Sequence, residues 1–381
     1  MTVSVSSAFD GGNGDVVDAS APDAITVRIQ KDAKADFMQW FYFRVAGLGG
    51  APAVVRLINA GEASYGAGYE GYSAVASTDR ERWYRVPTSY ADGVLEIRHP
   101  GGANAVWLAY FVPFSMERHH DLIGRASRDP RVRHEVLGRT VDGQDLDALH
   151  VGEGPLSIWC IARQHPGETM AEHWMEGFLA RLLDPDEPVA RALLAKATFH
   201  VVPNMNPDGS RRGHLRTNAA GANLNREWAE PSLERSPEVF LVREQMIATG
   251  VDLCLDVHGD EELPYNFIAG PDGVPSLTAA QRELLARFRA ELRRRSPDFQ
   301  TERGYPPAAP GQANLRLCTN WVAERFGCLS MTLEMPFKDN ADLPIPETGW
   351  SPARCAHLAE ACLDTIAAVA EELRVGLGSR R

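Results

Sequence analysis

Between residues 24 and 115 the apolar positions come in short runs, Ala24 to Ile29, Met38 to Val45, Val54 to Asn59 and Val106 to Phe111, divided by turns that carry glycine and proline. Runs of this length, rich in β-branched and aromatic residues, predict strands, and nothing in the region repeats at a helical period. The expectation is an antiparallel β-sandwich over residues 1–115. From about residue 130 the pattern changes. Short apolar runs at Leu156 to Ala162, Thr198 to Pro203, Val251 to Val257, Tyr265 to Ala269 and Ser330 to Met335 alternate with amphipathic stretches. That alternation predicts an α/β domain over residues 116–381, a mixed β-sheet with helices on both faces.

The helical stretches have readable starts. From Glu168 to Leu183, Met170, Trp174, Phe178 and Leu182 recur every four residues and form a core-facing stripe. Ser236-Pro237-Glu238 and Ser351-Pro352 each place a serine at the cap and a proline at the first helical position. The second of these helices is expected to run to about Val375. Residues 300–314, with Pro306, Pro307 and Pro310, read as a long loop, a type of segment that is often functional. No repeat of solenoid or propeller length is present.

Length and composition agree with two folded units. At 381 residues the chain exceeds the roughly 100 to 200 residues of one domain, and 44% hydrophobic residues supply ample core. A formal net charge of -12 without any block of lysine or arginine argues against nucleic acid as a partner. No apolar run reaches membrane-span length, and the polar start Met1 to Ala21 lacks the features of a secretory signal. The six cysteines stand apart from any CxxC spacing, which suits reduced core thiols in a cytoplasmic protein.

Candidate chemistry gathers at the ends of the apolar runs. In IWCIARQHPGET, His165 ends a strand and Glu168 starts a helix, with Pro166-Gly167 turning the chain between them. In VDLCLDVHG a second strand ends in His258. Two imidazoles and a carboxylate delivered from strand ends form a three-ligand set for one zinc ion, with a fourth position open for catalysis. Asp256, two residues before His258 on the same strand face, either orients a ligand or plays a plain structural part. SMTLEMPF places Glu334 at the end of a third strand, where it suits the base that activates water. Between these segments, Asn204 to Trp228 is polar and arginine-rich. There Arg226 and Asn225 suit the clamping of a terminal carboxylate, and Arg216 suits polarisation of the scissile carbonyl. His119-His120, among charged neighbours, reads as a solvated linker, and His173 and His214 carry no assignment.

The ordered set ARQHPGET, NMNPDG, ANLNREW, DVHG and TLEMPF, with QWFYFRV (Gln39 to Val45) near the start, resembles the zinc metallocarboxypeptidases and most closely their cytosolic carboxypeptidase branch. The resemblance covers nearly the whole chain. It implies a carboxypeptidase-like catalytic domain preceded by a β-sandwich, and a metalloprotease that hydrolyses C-terminal residues from peptides or proteins. It further implies His165, Glu168 and His258 as zinc ligands, Glu334 as general base and acid, Asn225 and Arg226 on the terminal carboxylate and Arg216 at the carbonyl. Many members of the branch remove glutamate and carry a basic stretch after the third ligand, where this chain has Asp260-Glu261-Glu262. Arg316 is one candidate for a basic pocket residue, and Tyr305 for a substrate-capping tyrosine. The competing readings are a zinc amidohydrolase of the aspartoacylase or succinylglutamate desuccinylase type, and an inactive binder of C-terminal tails. A homo-oligomer is compatible with all three.

Overall fold

A computed structural model describes residues 2–373. Two five-stranded sheets make up the N-terminal part. One runs in the order Ser4–Ser6, Tyr42–Ala46, Ala105–Ala109, Val75–Ser77, Tyr84–Arg85, and the other Asp15–Asp18, Ile25–Arg28, Ala53–Leu57, Val94–His99, Thr88–Ala91. All pairs are antiparallel except Ile25–Arg28 with Ala53–Leu57. Strand periodicity explains the packing: Ala53, Val55 and Leu57 are buried while the residues between them are half-exposed.

The second part is built on a seven-stranded mixed sheet. Its order is Val132–Arg139, Asp145–Val151, Ala197–Val202, Leu156–Ala162, Leu253–Asp260, Leu329–Pro336, Phe267–Ala269. The four strands from Ala197–Val202 to Leu329–Pro336 are parallel, and the edges are antiparallel. Alternate residues feed two separate cores. Ile158, Cys160 and Ala162 pack with helices Met170–Leu182 and Pro352–Val369, whereas Trp159 and Ile161 pack with Pro237–Thr249 and Cys318–Phe326. Helices therefore cover both faces, as the pattern of apolar runs led one to expect.

The same parity places the chemistry. Leu255 and Val257, and Met331 and Leu333, face the first core. Asp256, His258, Thr332 and Glu334 therefore point to the opposite face, and His258 pairs with Glu334 across the two strands. The sandwich shares the first core. Tyr110 stacks on Phe337 with ring centroids 4.6 Å apart, and the half-buried Arg85 donates to the carbonyls of Phe337 (2.8 Å) and Thr348 (3.2 Å).

Several expectations need adjusting. The hairpin Val132–Arg139 and Asp145–Val151 was not among the expected strands. The last helix covers Pro352–Val369, and its expected end near Val375 lies outside the described residues. All six cysteines are buried and free. His119 is not in a solvated linker. It lies in the helix Met116–Ala126, buried against Glu172 (Nδ1 to Oε1, 2.6 Å) and Asp147 (Nε2 to Oδ2, 3.3 Å). Burial opposes its charge, but the two carboxylates prevail and push its pKa up to about 9.

A histidine raised above its unfolded value of 6.5 stabilises the fold fully below that pH and loses the contribution as pH rises through about 9. Denaturant unfolding of wild type and His119→Gln should accordingly show a gap of roughly 2–3 kcal/mol at pH 6 that narrows by pH 9.5. A gap independent of pH would mean that His119 acts by shape alone.

Candidate active site

His165 leaves the carboxyl end of its strand through Arg163, which adopts φ +59 and has its guanidinium buried against Glu172, Phe114 and Pro166. The turn at Pro166-Gly167 then brings Glu168 under His165 at the start of the next helix. The Nδ1 atom of His165 lies 2.6 Å from Glu168 Oε1, that of His258 lies 2.8 Å from Oε2, and the two nitrogens are 3.2 Å apart. Gly259 N–H donates to the same carboxylate at 3.1 Å, and a Cβ on Gly259 would meet the Met170 side chain.

The far nitrogens fix the tautomers. His258 Nε2 lies 3.0 Å from Asp256 Oδ1, and His165 Nε2 lies 3.0 Å from Asn223 Oδ1. Gln164 donates to Asp256 at 2.7 Å and accepts from Trp228 Nε1 at 2.8 Å. With each Nε2 facing an oxygen, both Nδ1 lone pairs are turned toward one point with Glu168, which is the donor set and orientation a zinc ion requires. His119, His120 and Asp147 form a second group close enough for a metal. There His119 bridges Glu172 and Asp147, and Asp147 also takes His134 Nε2 at 2.6 Å, while His120 is exposed.

A cleft of about 910 Å³ opens over this centre, lined among others by Arg216, Asn225, Arg226, Tyr305 and Glu334. Asn225 Oδ1 accepts from Cys318 N at 2.9 Å, so its amide donors are left for a ligand. Arg226 is held at the wall by a bond to the Asn225 carbonyl, 2.7 Å. Tyr305 Oη donates to Asp260 at 2.6 Å and lies 3.2 Å from Glu334 Oε1. Burial pushes the Glu334 carboxyl well above the ordinary range; Glu168, Asp260 and Glu261 add to this and His258 opposes it. Arg316 is exposed and props the Arg226 carbonyl through its Nε at 2.8 Å. Sequence reasoning missed Asn223, Gln164 and, from the N-terminal part, Tyr65, which lines the cleft.

Family comparison agrees with this geometry. Residues 121–359 match the family model "Zinc carboxypeptidase", and residues 5–111 match "Cytosolic carboxypeptidase N-terminal domain". The chain belongs to the zinc carboxypeptidase family. It is similar to a metallo-carboxypeptidase from Burkholderia cenocepacia, at 46% identity and TM-score 0.95 over 97% of this chain and 100% of that one. A metallo-carboxypeptidase from Pseudomonas aeruginosa, solved in complex with (2-guanidinoethylmercapto)succinic acid, is 47% identical with TM-score 0.95 and the same coverage. Mouse cytosolic carboxypeptidase 4 is 29% identical over 61% of this chain, which spans only 25% of that protein's length. Family membership makes the chain a zinc-dependent peptide hydrolase with a metallocarboxypeptidase fold, as its motifs implied. No helix among the described residues is long and apolar enough to cross a membrane.

Because Asp256 holds the outer nitrogen of His258, Asp256→Asn should bind zinc about 10- to 100-fold more weakly. Competition against a chromogenic chelator measures this directly, and unchanged affinity would reduce Asp256 to a structural acid.

Proposed function

We propose that the protein removes single residues from the C-termini of peptides or proteins, with His165, Glu168 and His258 holding one zinc ion. The observation that carries this reading is the convergence of three ligand side chains, a buried carboxylate and two cleft arginines in one cavity. Zinc bound there supplies a Lewis acid and acidifies water to near neutrality. Arg226 and the Asn225 amide hold the terminal carboxylate, which fixes the last peptide bond over Glu334. Arg216 donates to the scissile carbonyl oxygen as negative charge develops on it. Glu334, with Oε2 free of any hydrogen bond, takes a proton from the attacking water and returns one to the leaving amine. Tyr305, bonded to Glu334 from the long loop, is placed to cap the bound residue.

The reading divides the chain into a sandwich of residues 1–115 and a catalytic domain of residues 116–381. Ser115 supports this boundary, because its side chain accepts from Arg118 N and so caps the first helix of the second part. A cytoplasmic location is supported by the match to the cytosolic carboxypeptidase N-terminal model and by six unpaired thiols. A preference for terminal glutamate is supported by Arg216, Arg226 and Arg289 along the cleft and opposed by Asp260, Glu261 and Asp272 on its walls. The Pseudomonas relative's ligand carries both a guanidinium and two carboxylates, so it suits either polarity.

Mass spectrometry of peptides ending in Glu, Lys, Ala or an amide, with and without chelator, tests the whole reading. Stepwise, chelator-sensitive loss of free terminal residues is expected. Inertness toward peptides with turnover of N-acyl amino acids would favour the amidohydrolase, and tight tail binding without cleavage the inactive binder. Two variants probe the assigned roles. Glu334→Gln should keep zinc and lose at least ~100-fold in rate, as for any removed general base. Arg226→Ala should lose most of the discrimination between free and amidated termini; intact discrimination would take Arg226 out of the clamp.

A further inference from the structure

Arg216 lies in a stretch between the helix Pro207–Arg212 and the turn Leu224–Arg226 that has neither helix nor strand to hold it. A backbone of this kind has to find its hydrogen-bond partners elsewhere. Here it finds them in the N-terminal sandwich. Asp32, only 3% exposed, accepts from Leu215 N at 2.6 Å through Oδ1, and from Arg216 N (2.8 Å), Thr217 N (2.8 Å) and Thr217 Oγ1 (3.0 Å) through Oδ2. One carboxylate thus takes every backbone donor from 215 to 217. The neighbouring residue strengthens the grip: Ala33 N donates to His214 Nε2 at 3.0 Å, which leaves Nδ1 to donate to the Thr217 carbonyl at 2.9 Å.

The side chain of Arg216 is held from the same direction. Its Cζ lies 5.7 Å from the Phe37 ring centroid and 5.3 Å from that of Tyr65. Tyr65 in turn is fixed by the buried Gln39, whose Oε1 accepts from Tyr65 N (2.9 Å) and whose Nε2 donates to Tyr65 O (3.0 Å). The guanidinium ends 4.0 Å from Glu168 Oε1, at the metal centre. Backbone, ring faces and charge therefore define where an otherwise flexible arginine can be; the backbone and ring partners belong to the sandwich, and the charges come from Glu261 and Glu168.

We propose that Asp32 is a positioning residue for Arg216, and that the sandwich, through Asp32, Phe37 and Tyr65, completes the carbonyl-binding part of the active site. The proposal rests on the role given to Arg216 above. Charge-assisted bonds from three consecutive N–H groups are strong and directional. An asparagine in place of Asp32 sets an N–H₂ group against the same donors and keeps at most part of the set.

The test compares zinc-loaded wild type, Asp32→Asn, Arg216→Ala and the double variant as full chains in peptide hydrolysis. Limited trypsin cleavage after Arg216 is measured alongside, and needs no catalysis by this protein. Asp32→Asn should lower kcat/KM by about 10- to 100-fold, the scale of a misplacement near 1 Å, mainly in kcat and with zinc content unchanged. In the Arg216→Ala background the same change should cost almost nothing, and trypsin should cut wild type more slowly than Asp32→Asn. Equal losses with and without Arg216 would overturn the proposal, as would trypsin cleavage indifferent to Asp32. Should Asp32→Asn be unfolded at assay temperature, Phe37→Leu with Tyr65→Leu removes the ring contacts instead, and the same dependence on Arg216 is required. A wild type that cleaves no peptide defeats the hydrolase reading, while the trypsin comparison still decides whether Asp32 holds the segment.

Discussion

The carboxylate of Glu168, buried between two imidazoles, is the constraint around which the rest of the molecule is arranged. An ionised carboxyl without partners could not stay in so dry a place. Here burial alone would raise its pKa, and the imidazoles of His165 and His258 outweigh burial and hold it low. Each imidazole must then turn the correct nitrogen inward, which is why Asp256 and Asn223 stand behind them and why Gln164 and Trp228 stand behind Asp256. One shared carboxylate thus propagates order through several layers of polar side chains. Such a network holds its geometry only when nearly every member is satisfied.

The sheet makes the convergence possible. Parallel neighbours deliver the ends of Leu156–Ala162, Leu253–Asp260 and Leu329–Pro336 to the same edge, and the two-residue period of each strand separates the apolar face from the reactive one. A shift of one residue in the Leu329–Pro336 register would turn Glu334 into the helix-covered core and bring Leu333 or Met335 to the cleft. The apolar residues on these strands are therefore as necessary to the chemistry as the ligands. They prevent the alternative registers.

Parts of this were legible in the chain and parts were not, for physical reasons. Leu156–Ala162 is legible to the residue because, Ser157 apart, its strand is a continuous apolar run bounded by Pro155 and Arg163. The candidate metal-binding histidines and Glu334 are legible because His165, His258 and Glu334 each stand at the end of such a run. The hairpin at Val132–Arg139 and Asp145–Val151 was missed although Asp142-Gly143 is a strong turn signal, since its first strand lies at the sheet edge with few buried side chains and so lacks a clear alternation. His119 looked solvated because four charged or polar residues surround it in sequence, whereas in the helix it turns inward to Glu172 and Asp147. Tyr65 and Asp32 left no trace at all. Asp32 meets Arg216 across 184 residues, and contacts of that separation follow from the tertiary fold and leave no local pattern.

That separation bears on what the sandwich is for. Its two sheets could in principle be a self-contained module docked on an independent enzyme. The shared core, the Arg85 bonds to Phe337 and Thr348 and the Tyr110–Phe337 stack describe something closer to a single packed body. Phe337 follows Glu334 by three residues, and Lys338 beyond it donates to the Glu70 carbonyl at 2.7 Å. The strand that carries Glu334 is thus anchored on the sandwich at its reactive end, just as the segment carrying Arg216 is anchored through Asp32. Two groups on different elements that line one cleft are thus each held by contacts to the N-terminal part. For a reaction sensitive to ångström-scale placement, anchoring of both elements on the same β-structure is a physical reason for it to accompany the catalytic fold.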